Sequence, residues 1–348
     1  MADISTPMVR KRKIGDLNVA YRPYRMDEVF GNDRLKRMFT NHIEKKTMPH
    51  AAMFTGPAGC GKTTMARIVA LGLNCETGHT ANPCCKCDAC TSTINLNSLA
   101  VLELDSTRSG NIDIVKSTLK DLGSSPLGGE RYRILIIDEA HNLSGKAEDA
   151  FLKFLEDCPP HVYIMLCTNE PQKLKIVTRQ RCKPTQFGRL ETNHIYKMIE
   201  QVAQFEGMDY RKDILMQIAE ESEGTPRQAL NFLQSISAEG TWDDEAVSMV
   251  LNCGVDIDQA EVYEFCKTLL KGSFRTSMEA YKGIKNVPAE TVRINITGFF
   301  TGCLRNSRDV ETARKYSQII DFIKDPYYGP KPSNILTNNI FKISEVLR

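Results

Sequence analysis

The segment Gly56-Pro57-Ala58-Gly59-Cys60-Gly61-Lys62-Thr63 constrains this chain more than any other. It has the spacing G-x-x-x-x-G-K-[ST]. It follows the apolar run Ala51–Thr55 and precedes the helical sequence Thr64–Leu73. Strand, glycine-rich loop and helix in that order predict a phosphate cradle. The glycines let backbone N–H groups wrap phosphate oxygens, and the helix N-terminus adds partial positive charge. Lys62 is expected to reach the β- and γ-phosphates, and the Thr63 hydroxyl to ligate Mg²⁺.

The cradle needs a parallel sheet behind it. Ala51–Thr55, Val101–Asp105, Ile134–Asp138 and Val162–Thr168 each read as a short buried strand followed by polar or Gly-rich sequence. The long connections suit helices, which predicts a parallel α/β layer. The third strand ends in Asp138-Glu139. Asp138 is expected to organise Mg²⁺, and Glu139 to polarise an attacking water. Asp138-Glu139-Ala140-His141 also spells the D-E-A-H string of one helicase group. Such helicases need a second RecA-like domain, whereas the C-terminal half here is helical. His141 is therefore read as a surface or helix-capping residue.

After Gly188 the strand signal fades. Residues 192–206, 211–236 and 244–253 read as helices, with a break at Gly224–Pro226. Apolar stripes then recur at helical spacing. They run through Val262, Phe265, Cys266, Leu269 and Leu270, and through Ile296, Phe299, Phe300, Cys303 and Leu304. Shorter ones run through Tyr316, Ile319, Ile320 and Ile323, and through Leu336, Ile340, Ile343 and Leu347. Each stripe buries one face, which predicts a helical bundle.

Composition is ordinary for a globular protein, with 41% hydrophobic residues. The net charge of +2 excludes gross basicity as an argument for nucleic acid, but not a local basic surface. No stretch reaches the roughly 18–20 apolar residues of a membrane span. The polar arm at residues 1–20 carries Arg10, Lys11, Arg12 and Lys13 with no apolar block behind them, unlike a secretory signal. An intracellular location, where thiols stay reduced, is expected. The 12 cysteines therefore call for another reading. Cys75-x8-Cys84-x2-Cys87-x2-Cys90 has the spacing of a closed, structural tetrahedral Zn²⁺ site. Cys85 could replace Cys84 or stand outside the metal. The scattered Cys60, Cys158, Cys167, Cys182, Cys253, Cys266 and Cys303 read as small buried hydrophobes.

Taken together, the chain resembles a sliding-clamp loader ATPase of the AAA+ class, in particular the gamma/tau type of bacterial DNA polymerase III. Tyr21-Arg22-Pro23 with Asp27-Glu28-Val29-Phe30-Gly31 is similar to the family's N-terminal box. Leu73-Asn74-Cys75 with Pro83-Cys84, Cys87 and Cys90 is similar to its zinc module. Ile137-Asp138-Glu139 and Thr168-Asn169-Glu170-Pro171-Gln172-Lys173-Leu174 continue the likeness. It covers residues 21–188 well, residues 189–236 in style, and residues 250–348 as a helical collar.

The resemblance implies an AAA+ nucleotide domain over residues 1–188, with the zinc module at about 74–92. It also implies a helical lid over 189–246 and an oligomerising collar over 247–348. Tyr21, Arg22, Pro23 and Val29 would border the adenine, and Gly56–Thr64 would hold the phosphates. Asn169 would sense the γ-phosphate. Arg181 would be an arginine finger acting in trans on a neighbour's ATP. Gln180 stands where the family has Ser, and Arg179 is an alternative finger. Arg227 would be a second sensor. Arg108 and Lys116 would touch DNA phosphates. ATP, Mg²⁺ and Zn²⁺ are the implied cofactors. Implied partners are a sliding clamp, primer–template DNA and other loader subunits in a pentamer, with no membrane. The chain stops at Arg348, soon after the collar, so a phage or short gamma-like form in the cytoplasm of a bacterial or phage-infected cell is implied. The alternatives are another AAA+ or helicase-like DNA-remodelling ATPase, a non-hydrolysing scaffold, and a zinc-dependent nucleic-acid binder.

Overall fold

The computed structural model describes residues 9–10, 15–109, 111–126, 130–239, 242, 247, 250–251, 265–266, 268–270, 273–284, 289–305, 307, 309–326 and 332–347. Lys11–Lys13, Gly110, Cys253, Val262 and most of the helix expected at 244–253 lie outside them. The chain forms two compact units. One comprises Met1–Met208 with Ser222–Leu230, the other Asp209–Glu221 with Asn231–Arg348.

The first unit is built on a parallel sheet of β1 (Ala51–Thr55), β2 (Val101–Asp105), β3 (Arg133–Asp138), β4 (Val162–Thr168) and β5 (Lys183–Gln186). Its order is β2-β3-β4-β1-β5, and every pairing is parallel. Strands covered on both faces need apolar residues at nearly every position, which explains the apolar runs of the three central strands β1, β3 and β4. Along β3, Ile134 and Ile136 enter one core layer with Phe39, Ile43 and Met65. Leu135 and Ile137 enter the opposite layer with Leu119, Leu122 and Phe151. Helices Asp33–Glu44 and Lys62–Asn74 cover the first face, and Ile112–Gly123 and Gly145–Glu156 the second. Phe54 is fully buried between Phe39 and Phe187, with ring centroids 5.2 and 5.4 Å away. Truncating such a ring to alanine costs about 3–5 kcal/mol.

The fifth strand has no counterpart in the sequence reading. Lys183–Gln186 buries only Thr185, so no apolar run marks it. It is an edge strand, where Pro184 forfeits no ladder bond on the open side.

In the second unit the expected stripes form one core. Phe265, Cys266 and Leu269 pack with Ile296, Phe299, Phe300, Ile319, Ile323, Leu336, Ile340 and Ile343. They come from several helices, among them Ala289–Arg305, Val310–Ile323 and Pro332–Leu347.

Candidate functional site

The loop between β1 and helix Lys62–Asn74 turns through Gly56, Gly59 and Gly61, all with positive φ. At Gly59 (φ +71°) a Cβ would stand 2.6 Å from Thr225 Cγ2, so glycine is required by both backbone and space. Lys62 Nζ donates to the carbonyls of Gly56 and Pro57, at 2.9 and 2.8 Å. Thr63 Oγ1 donates to Asp138 Oδ2 at 2.9 Å. The ends of β1 and β3 thus meet at the carboxyl edge of the sheet, with β4 between them. Ligands of open parallel sheets bind in such crevices. Glu139 follows in a left-handed conformation (φ +48°) that turns the chain sharply after β3.

Lys62, Thr63, Asp138 and Glu139 line a cavity of about 280 Å³, which Gly56 and Pro57 do not border. The expected Tyr21, Arg22, Pro23, Val29, Ala58–Thr64, Asp138, Glu139 and Arg227 all border it. Leu190, Met198 and Leu230 complete the apolar wall, and Arg67 adds a cation. Sequence reasoning missed those four. Met198 shares the buried face of helix Thr192–Phe205 with Ile195 and Ile199, so its periodicity signals core and not ligand. Arg67 is held to β2 by two bonds to Glu103, at 2.8 and 2.6 Å. Burial, then Arg67 and Arg227, lower the pKa of Arg22. Crowded cations of this kind suit a polyanionic ligand. Cys60 is buried, and burial pushes its thiol pKa up, so it is no nucleophile at neutral pH.

Asn169 is exposed just after β4. Thr168 is level with Thr55, which places Asn169 at the edge beside the start of the phosphate loop, although it does not line the cavity. Of the surface or helix-capping roles expected for His141, the surface one is not what the fold gives; the residue lies in the last turn of the short helix Ala140–Asn142. Its side chain is 8% exposed, because Thr168 Oγ1 lies 3.1 Å from its Nδ1 and the carboxylates of Glu139 and Glu170 flank it.

Arg181 ends helix Ile176–Arg181 and precedes β5. Lys183 is level with Ala52, so Arg181 lies at the amino edge of the sheet. At about 3.3 Å per residue, a full strand separates it from its own phosphate loop. Its Nη2 pairs with Glu156 Oε1 at 2.7 Å. Arg179 Nε is buried without a hydrogen-bond partner. The Arg108 side chain is 88% exposed, with Asp105 at 3.9 Å. Lys116 lines a surface groove with Lys120, Lys146 and Lys153, between helices Ile112–Gly123 and Gly145–Glu156.

The four expected cysteines converge. The Sγ atoms of Cys75, Cys84, Cys87 and Cys90 all lie within 4.8 Å of one another. A tetrahedral zinc with bonds of about 2.3 Å wants sulfurs roughly 3.8 Å apart, so the set fits with slight contraction. Backbone N–H groups already point at the sulfurs. Cys84 donates to Cys75 Sγ, and Lys86 and Cys87 donate to Cys84 Sγ, each at 3.4 Å. The last two bonds bring the Cys84 thiol down to about 6. Cys85 is outside the cluster, in a left-handed turn (φ +56°), with its Sγ 3.5 Å from the Pro83 carbonyl. The cluster is fastened to the sheet. Asn74 bonds the backbone of Arg131 and Tyr132, and Arg131 Nη1 donates to the Cys75 carbonyl at 3.0 Å.

Residues 31–191 match the family described as "DNA polymerase III, delta subunit". The Escherichia coli K12 DNA polymerase III subunit tau is 34% identical over 242 residues, which is 69% of this chain and 37% of that protein. The chain is a relative of the DNA polymerase III gamma/tau subunits. The Bacillus subtilis tau subunit is 33% identical over 63% of this chain and 39% of its own length. The chain thus spans well under half the length of these curated relatives. Among solved structures, the Thermotoga maritima RuvB Holliday junction branch migration motor matches with a TM-score of 0.51 and 18% identity. It covers 83% of this chain and 93% of that one. That likeness shows the fold alone, a parallel α/β sheet with a phosphate loop. Among the described residues, no helix of this gamma/tau relative is long and apolar enough to cross a membrane.

Proposed function

We propose that this chain is the ATP-hydrolysing subunit of a sliding-clamp loader, working in the cytoplasm. The observation that carries the reading is the junction of phosphate loop and acidic strand end, Thr63 to Asp138 at 2.9 Å, in a relative of the gamma/tau subunits. The backbone of Gly56–Thr64 would cradle the ATP phosphates. Lys62 would exchange the carbonyls of Gly56 and Pro57 for β- and γ-phosphate oxygens. Tyr21, Arg22, Pro23 and Val29 would border the adenine, with Leu190 and Met198 opposite. Thr63 and Asp138 would hold Mg²⁺, which supplies charge neutralisation to the phosphates. Glu139 would take a proton from the attacking water. Asn169 would orient the water or the γ-phosphate, and Arg227 would reach the phosphates from the lid.

Arg181 is a full strand away from its own loop, which favours action on a neighbour's ATP. Arg179 is the alternative, its Nε being buried without a hydrogen-bond partner. The four cysteines would hold a structural Zn²⁺ that needs no part in hydrolysis. Arg108 and Lys116 would contact the phosphates of primer–template DNA. Residues 1–188, 189–246 and 247–348 would serve as motor, lid and collar of a pentamer. ATP binding would close the spiral and open the clamp, and hydrolysis would release it on DNA. The test is ATP turnover with a candidate sliding clamp and primer–template DNA added. Stimulation by both is expected, and no response to either overturns the reading.

A further inference from the structure

Helix Gly145–Glu156 grips helix Ile176–Arg181 at both ends. Glu148, 4% exposed, accepts two bonds on one oxygen, from Lys175 N–H at 2.8 Å and from the fully buried Thr178 Oγ1 at 2.6 Å. Lys175 Nζ reaches back to Asp149 Oδ1 at 2.5 Å and to the Gly145 carbonyl at 3.2 Å. At the far end Glu156 Oε1 holds Arg181 Nη2 at 2.7 Å. A well-packed apolar side chain at position 148 would avoid the desolvation cost of a buried carboxylate. What the carboxylate adds is direction, because one donor is the N-cap of the arginine-bearing helix and the other lies in its first turn, and together they fix its angle of entry.

The gripping helix also starts close to the hydrolytic site. Its N-cap Ser144 follows the short turn Ala140–Asn142 that leaves Asp138 and Glu139. Twelve helical residues carry that start about 18 Å along the second face of the sheet. One rigid element therefore joins the acidic end of β3 to the arginine at the opposite edge.

We propose that Glu148 is a positioning residue for the arginine lent to a neighbouring chain. It locks helix Ile176–Arg181 onto helix Gly145–Glu156, so the pose of Arg181 follows the strand end that carries Asp138 and Glu139. The inference rests on the reading that Arg181 acts in trans, and its test separates the two.

The experiment measures ATP turnover of assembled full-length chains. Glu148→Ala alone is expected to lower kcat at least about tenfold while KM for ATP stays within about twofold. It is then mixed with excess Lys62→Ala chain, whose own site is dead but whose Arg181 is correctly held. Turnover per Glu148→Ala site should return to within about threefold of wild type. Arg181→Ala mixed with the same partner is the control. If that control is not rescued, the trans reading itself fails. If the control is rescued and Glu148→Ala is not, Glu148 acts on its own site and the inference is overturned. Unchanged kcat in Glu148→Ala overturns it as well. Glu148→Gln, which keeps an acceptor oxygen, should retain most of the turnover, and a loss equal to that of alanine counts against the proposal. If circular dichroism shows that Glu148→Ala does not fold, Thr178→Val replaces it. That variant removes one of the two donors and is held to the same rescue and the same overturning results.

Discussion

Thr63 on the phosphate loop donates a hydrogen bond to Asp138 at the end of β3, at 2.9 Å. The contact ties two segments that no local sequence feature joins. Thr63→Val keeps the shape and removes the donor. A bond to a charged group contributes about 1.5–3 kcal/mol, so a modest loss of thermal stability is expected. Turnover should fall far more, by at least about tenfold, because a metal ligand goes with it. Equal turnover in Thr63→Val and wild type would remove Thr63 from the proposed Mg²⁺ site.

Glu139→Gln leaves the cradle intact and removes the proposed base. General-base catalysis contributes about 10²- to 10⁴-fold, so turnover should drop within that range. Nucleotide binding, read by titration with a fluorescent ATP analogue, should change little. Retained turnover would sink the assignment.

Gly59→Ala tests the contact between the loop and Thr225. The new Cβ would sit 2.6 Å from Thr225 Cγ2 on a backbone at φ +71°. The left-handed conformation alone costs about 1–2 kcal/mol for alanine. ATP affinity should fall, and Thr225→Ser, which deletes the methyl group, should restore part of it. A double variant no better than the single one would show that the clash is not the cause.

Zinc content separates the four clustered cysteines from Cys85. Wild type and Cys85→Ser should each carry one zinc per chain by elemental analysis. Cys75→Ser, Cys84→Ser, Cys87→Ser and Cys90→Ser should lose it and melt at lower temperature. Equal zinc loss in Cys85→Ser would redraw the ligand set.

The N-terminal box carries its own acid response. Arg25 donates two bonds to Asp27, at 2.9 and 2.7 Å, and these hold the Asp27 carboxyl below its ordinary value. A lowered folded-state pKa gives stabilisation that is fully present above the unfolded value near 3.9 and lost as pH falls through the folded value. Part of the pair is solvent-screened, so its worth is about 0.5–1 kcal/mol. Asp27→Asn should therefore melt slightly lower than wild type at pH 7, and the gap should close below about pH 3. A gap that widens on acidification would contradict this sign.

Much of this arrangement could be read along the chain. β1, β2 and β4 have the expected bounds, and β3 starts one residue early at Arg133, because strands whose apolar side chains enter the two core layers announce themselves as apolar runs. Lys62, Thr63 and Asp138 were legible because phosphate chemistry ties residue type to spacing. β5 was not, since Lys183-Pro184-Thr185-Gln186 carries no apolar run. Leu190, Met198 and Leu230 look like ordinary core in one dimension and become cavity-lining only once the fold brings them together. His141 was misplaced for a related reason. Its burial comes from Thr168 and Glu170, a strand away.

The opposed positions of Arg181 and the phosphate loop give the molecule a front and a back. Under the proposed trans action of Arg181, a chain would receive an arginine at one edge of its sheet and offer one at the other, and such chains would assemble head to tail, as heterologous interfaces do. In an open arc of such chains, the first lends to nobody and the last borrows from nobody. The number of complete sites is then one fewer than the number of chains, and the gap in the arc has chemically distinct lips.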